Sequence, residues 1–200
     1  FFKFQGEGGD IVDGYIPEAR ASVGYQNRRT ALAPGLLAHK NTVETDQETS
    51  LIQAIGKYIR VTGDRSILTE NVAGRTVYLR LTDAVDYLLA NRYSTRYGLL
   101  TGATTQDWGD MQVEGGAVVD VDDKTHWAMD VYDNAMFVIA LGDLQTFATT
   151  AADRARWRAL QTKTAKAVRQ HLWDARAGKF LPHLYVAGSP FPPNFDERSI

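Results

Sequence analysis

The sequence predicts an all-α fold of helical hairpins separated by long loops, on three observations. Four segments carry apolar residues at helical spacing. The same helix-ending signature follows the second and the fourth of them. Between the two pairs runs a connection rich in glycine and carboxylates, from about Ser94 to Asp130.

The first helix is expected from about Thr45 to Thr62. Leu51, Ile52, Ile55, Tyr58 and Ile59 share one face there, and Gly63 supplies a stop. The second is expected from Ser66 to Tyr93, with Leu81, Val85 and Leu88 as its stripe and Gly74 as a weak point. The third spans about Val131 to Thr149, and its run AMFVIAL predicts burial on most sides. The fourth spans about Asp153 to Trp173, with Leu160, Val168 and Leu172 on its apolar face.

The endings repeat. Tyr93-Ser-Thr-Arg-Tyr-Gly-Leu-Leu follows the second helix, and Trp173-Asp-Ala-Arg-Ala-Gly-Lys-Phe-Leu follows the fourth. In each, an aromatic closes a helix, a glycine stands five positions later, and apolar residues resume. Self-similarity of this kind marks stacked helical units, which need neighbours to complete a core. The chain accordingly divides into a leading loop segment (1–43), a first hairpin (44–98), an active-site loop (99–130), a second hairpin (131–181) and a closing connection (182–200). FFKFQGEGGD at the start shows neither Met nor a signal-peptide pattern, and PNFDERSI at the end shows no helix stop. Both ends read as cut, so the expectation is part of a larger catalytic domain.

Composition narrows the function. An apolar share of 44% with 23% charged residues is that of a globular chain. A net charge of -2 without any Lys/Arg-rich run argues against nucleic acid. No apolar stretch approaches the roughly 20 residues of a membrane span. The absence of cysteine removes disulfides, thiolate metal sites and thiol nucleophiles. It leaves cytoplasmic and exported locations equally open. No cofactor or metal is expected: His39, His126, His171 and His183 show no ligand spacing, and Asp120-Val-Asp-Asp123 lacks the rest of a calcium loop. GEGG lacks the Lys-Ser/Thr of a phosphate loop.

The string Thr105-Gln-Asp107-Trp108-Gly-Asp110 suits chemistry best. Glycosidic cleavage needs a carboxylic acid to protonate the leaving oxygen, with a pKa raised by dry or apolar surroundings. Trp108 offers an apolar wall and a stacking face for sugar, and Gly109 lets the chain aim Asp110. The plainer reading is an Asx-turn with a Trp anchor and two solvated aspartates. Glu44 and Asp46 stand before the first helix as acceptors for sugar hydroxyls, whereas Thr45 and Glu48 fit a capping box. Tyr132 and Asn134 open the third helix and face a cavity in the functional reading; Asp130 or Asp133 caps it in the plainer one.

With the loop QDWGD and the helix start YDNAMFVIAL, the chain resembles the six-hairpin, or (α/α)6-barrel, glycosidases. These include inverting glucosidases, trehalases, rhamnosidases and related disaccharide phosphorylases. The likeness runs from Glu44 to Leu181. It implies part of an (α/α)6 toroid, an inverting glycoside hydrolase, and Asp110 as general acid with Asp107 as fallback. It also implies that Glu44, Asp46, Trp108, Tyr132 and Asn134 bind an oligosaccharide or glycoside. Two hairpins cannot close such a ring, so its remainder would be a partner, and no base is evident. The alternatives are a phosphorylase, a sugar epimerase, or a non-catalytic helical-repeat module binding carbohydrate or protein.

Overall fold

The computed structural model describes residues 1–21, 26–104, 113 and 119–197. Four α-helices lie among them: α1 (Gln47–Thr62), α2 (Val77–Asn91), α3 (Val131–Phe147) and α4 (Ala151–His171). Twelve short strands fill much of the remainder: β1 (Gly14–Pro17), β2 (Gln26–Arg28), β3 (Leu36–Lys40), β4 (Asn71–Val72), β5 (Arg75–Thr76) and β6 (Tyr93–Ser94), then β7 (Leu99–Leu100), β8 (Gly102–Ala103), β9 (Trp127–Asp130), β10 (Trp173–Asp174), β11 (Lys179–Phe180) and β12 (His183–Tyr185).

At 45% helix and 18% strand the chain is an α/β mixture, which corrects the expected all-α hairpin toroid. Backbone accounting supplies the reason. Connections that run beneath or between helices must pair their N–H and C=O groups. Here they do so with one another, in small antiparallel sheets ordered β1-β3-β2 and β12-β9-β8.

The helices themselves obey their periodicity. α1 buries Ile52 and Ile55, α2 buries Leu81, Val85 and Leu88, and α3 buries Phe137, Leu141, Leu144 and Phe147, all around Trp157 of α4. The Trp157 indole N–H donates to the Tyr78 hydroxyl at 3.2 Å, so the largest core side chain has its one polar atom satisfied. α1 packs on α2 and α3, and α3 packs on α4. Gly56 permits the α1–α3 contact, because a Cβ there would run into the Asp143 carboxylate of α3.

Thr76 and Thr150 cap α2 and α4, each accepting from a backbone N–H three residues on. Gly63 ends α1 in the left-handed region at φ 74°. The expected helix from Ser66 to Tyr93 is interrupted. A 3₁₀ turn at Ser66–Thr69 and the β4–β5 hairpin precede α2, with Ala73 and Gly74 both at positive φ.

The repeated signature takes one conformation twice. Gly98 and Gly178, at φ 72° and 65°, donate to Ser94 and Asp174 carbonyls at 2.8 Å and close the β6–β7 and β10–β11 hairpins. Thr101 N–H then returns to the Arg92 carbonyl, and Leu181 N–H to that of Leu172. Leu99 and Leu100 are fully buried, while Lys179 and Phe180 are exposed.

The leading segment packs closely on α2. Gly9 sits at φ 102° against the Asp83 carbonyl of α2, so a Cβ would meet immovable backbone. Gly9→Ala is expected to cost more than about 1 kcal/mol, read as a lower midpoint in urea. An unchanged midpoint would refute the contact.

Candidate active site

A cavity of about 460 Å³ opens where the segment leading into α1 and the first turn of α3 meet the β12-β9-β8 sheet. That is within the usual range for small-molecule sites, about 300–1,000 Å³. Glu44, Asp46, Asp130, Tyr132, Asp133 and His183 supply its polar walls.

Asp130 is both the end of β9 and the N-cap of α3, its Oδ1 accepting from Asp133 N–H at 2.6 Å. The cap folds the chain so that the Asp133 side chain starts close to the Asp130 carboxylate. Burial pushes the Asp133 carboxyl well above the usual carboxylate range. The Asp130 charge and hydrogen bond and the more distant Asp46 push in the same direction, against a weaker pull from Arg92. Gly102 makes room: a Cβ there would lie 2.9 Å from Asp133 Oδ2 and 3.1 Å from Thr45 Oγ1.

Across the cavity, the half-exposed Tyr132 donates its O–H to Asp46 Oδ2 at 3.0 Å, tying the start of α3 to that of α1. Glu44 accepts from Asn41 Nδ2 at 3.2 Å and from the Gln47 amide. Thr45 Oγ1 donates to the Thr101 carbonyl at 3.2 Å, fixing the chain just before β8 to the same corner. Beneath lies Arg92, 6% exposed, its guanidinium 4.8 Å from the centre of the Trp127 ring and one nitrogen donating to the Thr42 carbonyl.

His183 enters by strand pairing. In the β12–β9 ladder it stands directly opposite Asp130, and directly opposed residues project to the same face of a sheet. Its Nδ1 lies 2.8 Å from Glu197 Oε2, and Glu197 also accepts the Tyr185 hydroxyl. The His183 and Tyr185 rings stack with centroids 5.7 Å apart. Burial first, and then the Glu197 hydrogen bond and charge, raise the Tyr185 hydroxyl above its ordinary range, so it stays a donor.

The residues singled out from sequence fall in three groups. Glu44, Asp46 and Tyr132 line the cavity. Asn134 does not: it is fully buried, its Oδ1 accepting from Leu100 N–H at 2.8 Å and its Nδ2 donating to the Leu100 and Asp130 carbonyls. Asp107, Trp108 and Asp110 lie outside the described residues.

The capping box is corrected. Asp46 occupies the N-cap, no side chain caps α1, and Glu48 turns inward to accept from Ile11 N–H at 2.8 Å and to pair with Lys40. Burial raises the Glu48 carboxyl, while the Lys40 ammonium and the Ile11 N–H favour its charged form and hold it away from the helix end. Asp120 and Asp122 serve local turns and contacts, with Thr42 Oγ1 and with Lys124 N–H.

Sequence reading passed over Asp130 and Asp133 as functional groups, although two aspartates three apart at the head of an apolar helix were a usable signal. His183 had none, since only the β12–β9 register brings it to Asp130. Among the described residues, no group of three or more His, Asp or Glu is placed to hold a metal ion, and no helix is long and apolar enough to cross a membrane. Compared with known proteins, the chain matches no family model and no curated sequence.

Proposed function

We propose that this chain cleaves glycosidic bonds by general acid–base catalysis, with Asp133 as the proton donor. The observation carrying this is a buried carboxyl, its hold on the proton strengthened by burial and by the Asp130 charge, in the wall of a cavity rimmed by acceptors. A carboxyl neutral at working pH is what protonation of a leaving oxygen requires. Glu44, Asp46 and the Tyr132 hydroxyl supply hydrogen-bonding groups of the kind that hold sugar hydroxyls.

A second reading keeps Asp110 as the proton donor. Ala103 lines the cavity, and Asp107 and Asp110 follow it shortly in the chain. In that case Asp110 protonates the leaving group and Asp133 donates a hydrogen bond to the sugar.

Leaving-group dependence separates the two. Removing the proton donor cripples cleavage of unactivated oligosaccharides by about 10²–10⁴-fold. It spares aryl glycosides whose phenolate leaves without a proton. Asp133→Asn is expected to behave this way and Asp110→Asn is not; the reverse pattern would move the role to Asp110. Sugar binding without turnover by the unaltered chain would support a binding module and sink both. Release that depends on inorganic phosphate and yields a sugar phosphate would point to a phosphorylase.

A further inference from the structure

We infer that His183, held by Glu197, is the base that activates water in this cavity. The inference rests on the glycosidase reading for its reaction, and on separate geometry for its residues.

The carboxylate of Glu197 is 2.8 Å from Nδ1, so the proton of a neutral imidazole sits on Nδ1 and points at that carboxylate. Nε2 then carries the lone pair, and no hydrogen-bond partner is recorded for it among the described residues. Glu197 is itself fixed by the Tyr185 hydroxyl, and Tyr185 stacks on the imidazole. Carboxylate, imidazole and aromatic thus form a braced unit at the cavity edge, about three-quarters buried at His183 and more at Glu197. A base oriented by a third group is the arrangement that nucleophile activation uses elsewhere.

Around the ring stand Asp130 from β9, Asp133 and Tyr132 from α3, Glu44 and Asp46 from the segment leading into α1, and Tyr185 and Glu197 on its own side.

The step balances. Water loses a proton to Nε2 as its oxygen bonds to the anomeric carbon. The bond from that carbon to the leaving oxygen breaks, and this oxygen takes the proton of Asp133. Asp133 ends as a carboxylate and His183 as an imidazolium, and one proton returned through solvent resets the pair.

Two measurements test this. The first is ¹⁵N NMR of the imidazole in the unaltered chain, with His183→Gln for assignment. An Nδ1–H tautomer that is lost in Glu197→Gln supports the dyad; an Nε2–H tautomer overturns it. The second is turnover on a panel of p-nitrophenyl glycosides and unactivated disaccharides. His183→Ala should lose about 10²–10⁴-fold in kcat on both substrate types, lose the acid limb of the pH profile, and recover part of the rate with added imidazole. Glu197→Asp should retain more activity than Glu197→Gln. Unchanged kcat in His183→Ala, or a loss that imidazole does not relieve, overturns the assignment. If the unaltered chain cleaves nothing on the panel, the glycosidase reading fails and the NMR arm still decides whether the dyad exists.

Discussion

Asp133→Asn is expected to abolish cleavage of unactivated glycosides while making the protein harder to unfold at neutral pH. Both halves follow from one raised pKa. In the unfolded chain Asp133 ionises in the ordinary carboxylate range, near about 3.9. In the folded chain, burial and the Asp130 and Asp46 charges hold the proton on to higher pH. Between those two values the folded state binds the extra proton, so stability falls as pH rises.

Asparagine keeps the shape and stays neutral at every pH, and the Asp133 backbone N–H that Asp130 accepts is unchanged. The variant should therefore melt no lower than the parent near pH 4 and progressively higher toward pH 8. Turnover should fall by the two to four orders of magnitude that a general acid supplies. A gain in stability on loss of function is the usual mark of a strained site. Should the melting difference stay flat across that range, Asp133 does not carry a raised pKa.

The second large effect belongs to Lys40. Its ammonium is 3% exposed and donates to the Ile11 carbonyl at 2.7 Å, to the Gln47 amide oxygen, and to Glu48 Oε1 at 3.3 Å. Glu48 is 1% exposed, and its carboxyl is pushed up by desolvation, with Lys40 as the strongest opposing influence. Lys40→Met strands that acid, and breaking one side of a buried pair costs about 3–5 kcal/mol.

The penalty should shrink as pH falls, since a protonated Glu48 needs no cation. Adding Glu48→Gln should recover much of the loss at neutral pH, because the amide oxygen still accepts from Ile11 N–H. Urea titrations of the four members of this cycle read the coupling. Additive losses would mean that the pair does not act as a unit. Because Gln47 also donates to Glu44, the same network braces the cavity rim, and the single variant is expected to weaken substrate binding as well.

How much of this was legible in the sequence varies with the range of the cause. Apolar spacing placed α1, α3 and α4 to within a few residues, because burial on one face is written locally. The Gly98 and Gly178 turns were equally visible, since a left-handed residue in a tight hairpin turn selects glycine. Strands of two to five residues were not. β8, β9 and β12 exist only as partners of one another, and no two of them are adjacent in the chain except through long connections. Their absence from the sequence reading turned an α/β chain into an all-α ring.

The site divides in the same way. Glu44, Asp46 and Tyr132 were visible as polar residues at helix starts. Asn134 was visible for the same reason, yet the backbone of Leu100 and Asp130 claims it. Thr45 and Glu48 matched a capping spacing, but a distant N–H at Ile11 outcompeted the helix end for the carboxylate. Asp133 read as a cap because only the fold puts Asp130 and Gly102 around it.

The most direct test of the account is the titration of the Asp133 carboxyl by carbon NMR, with Asp133→Asn identifying its signal. The account predicts a carboxyl that remains protonated through the range in which exposed aspartates ionise, and that gives up its proton only well above it. A signal that titrates alongside the surface carboxylates would contradict it, and would leave the cavity without its proton donor.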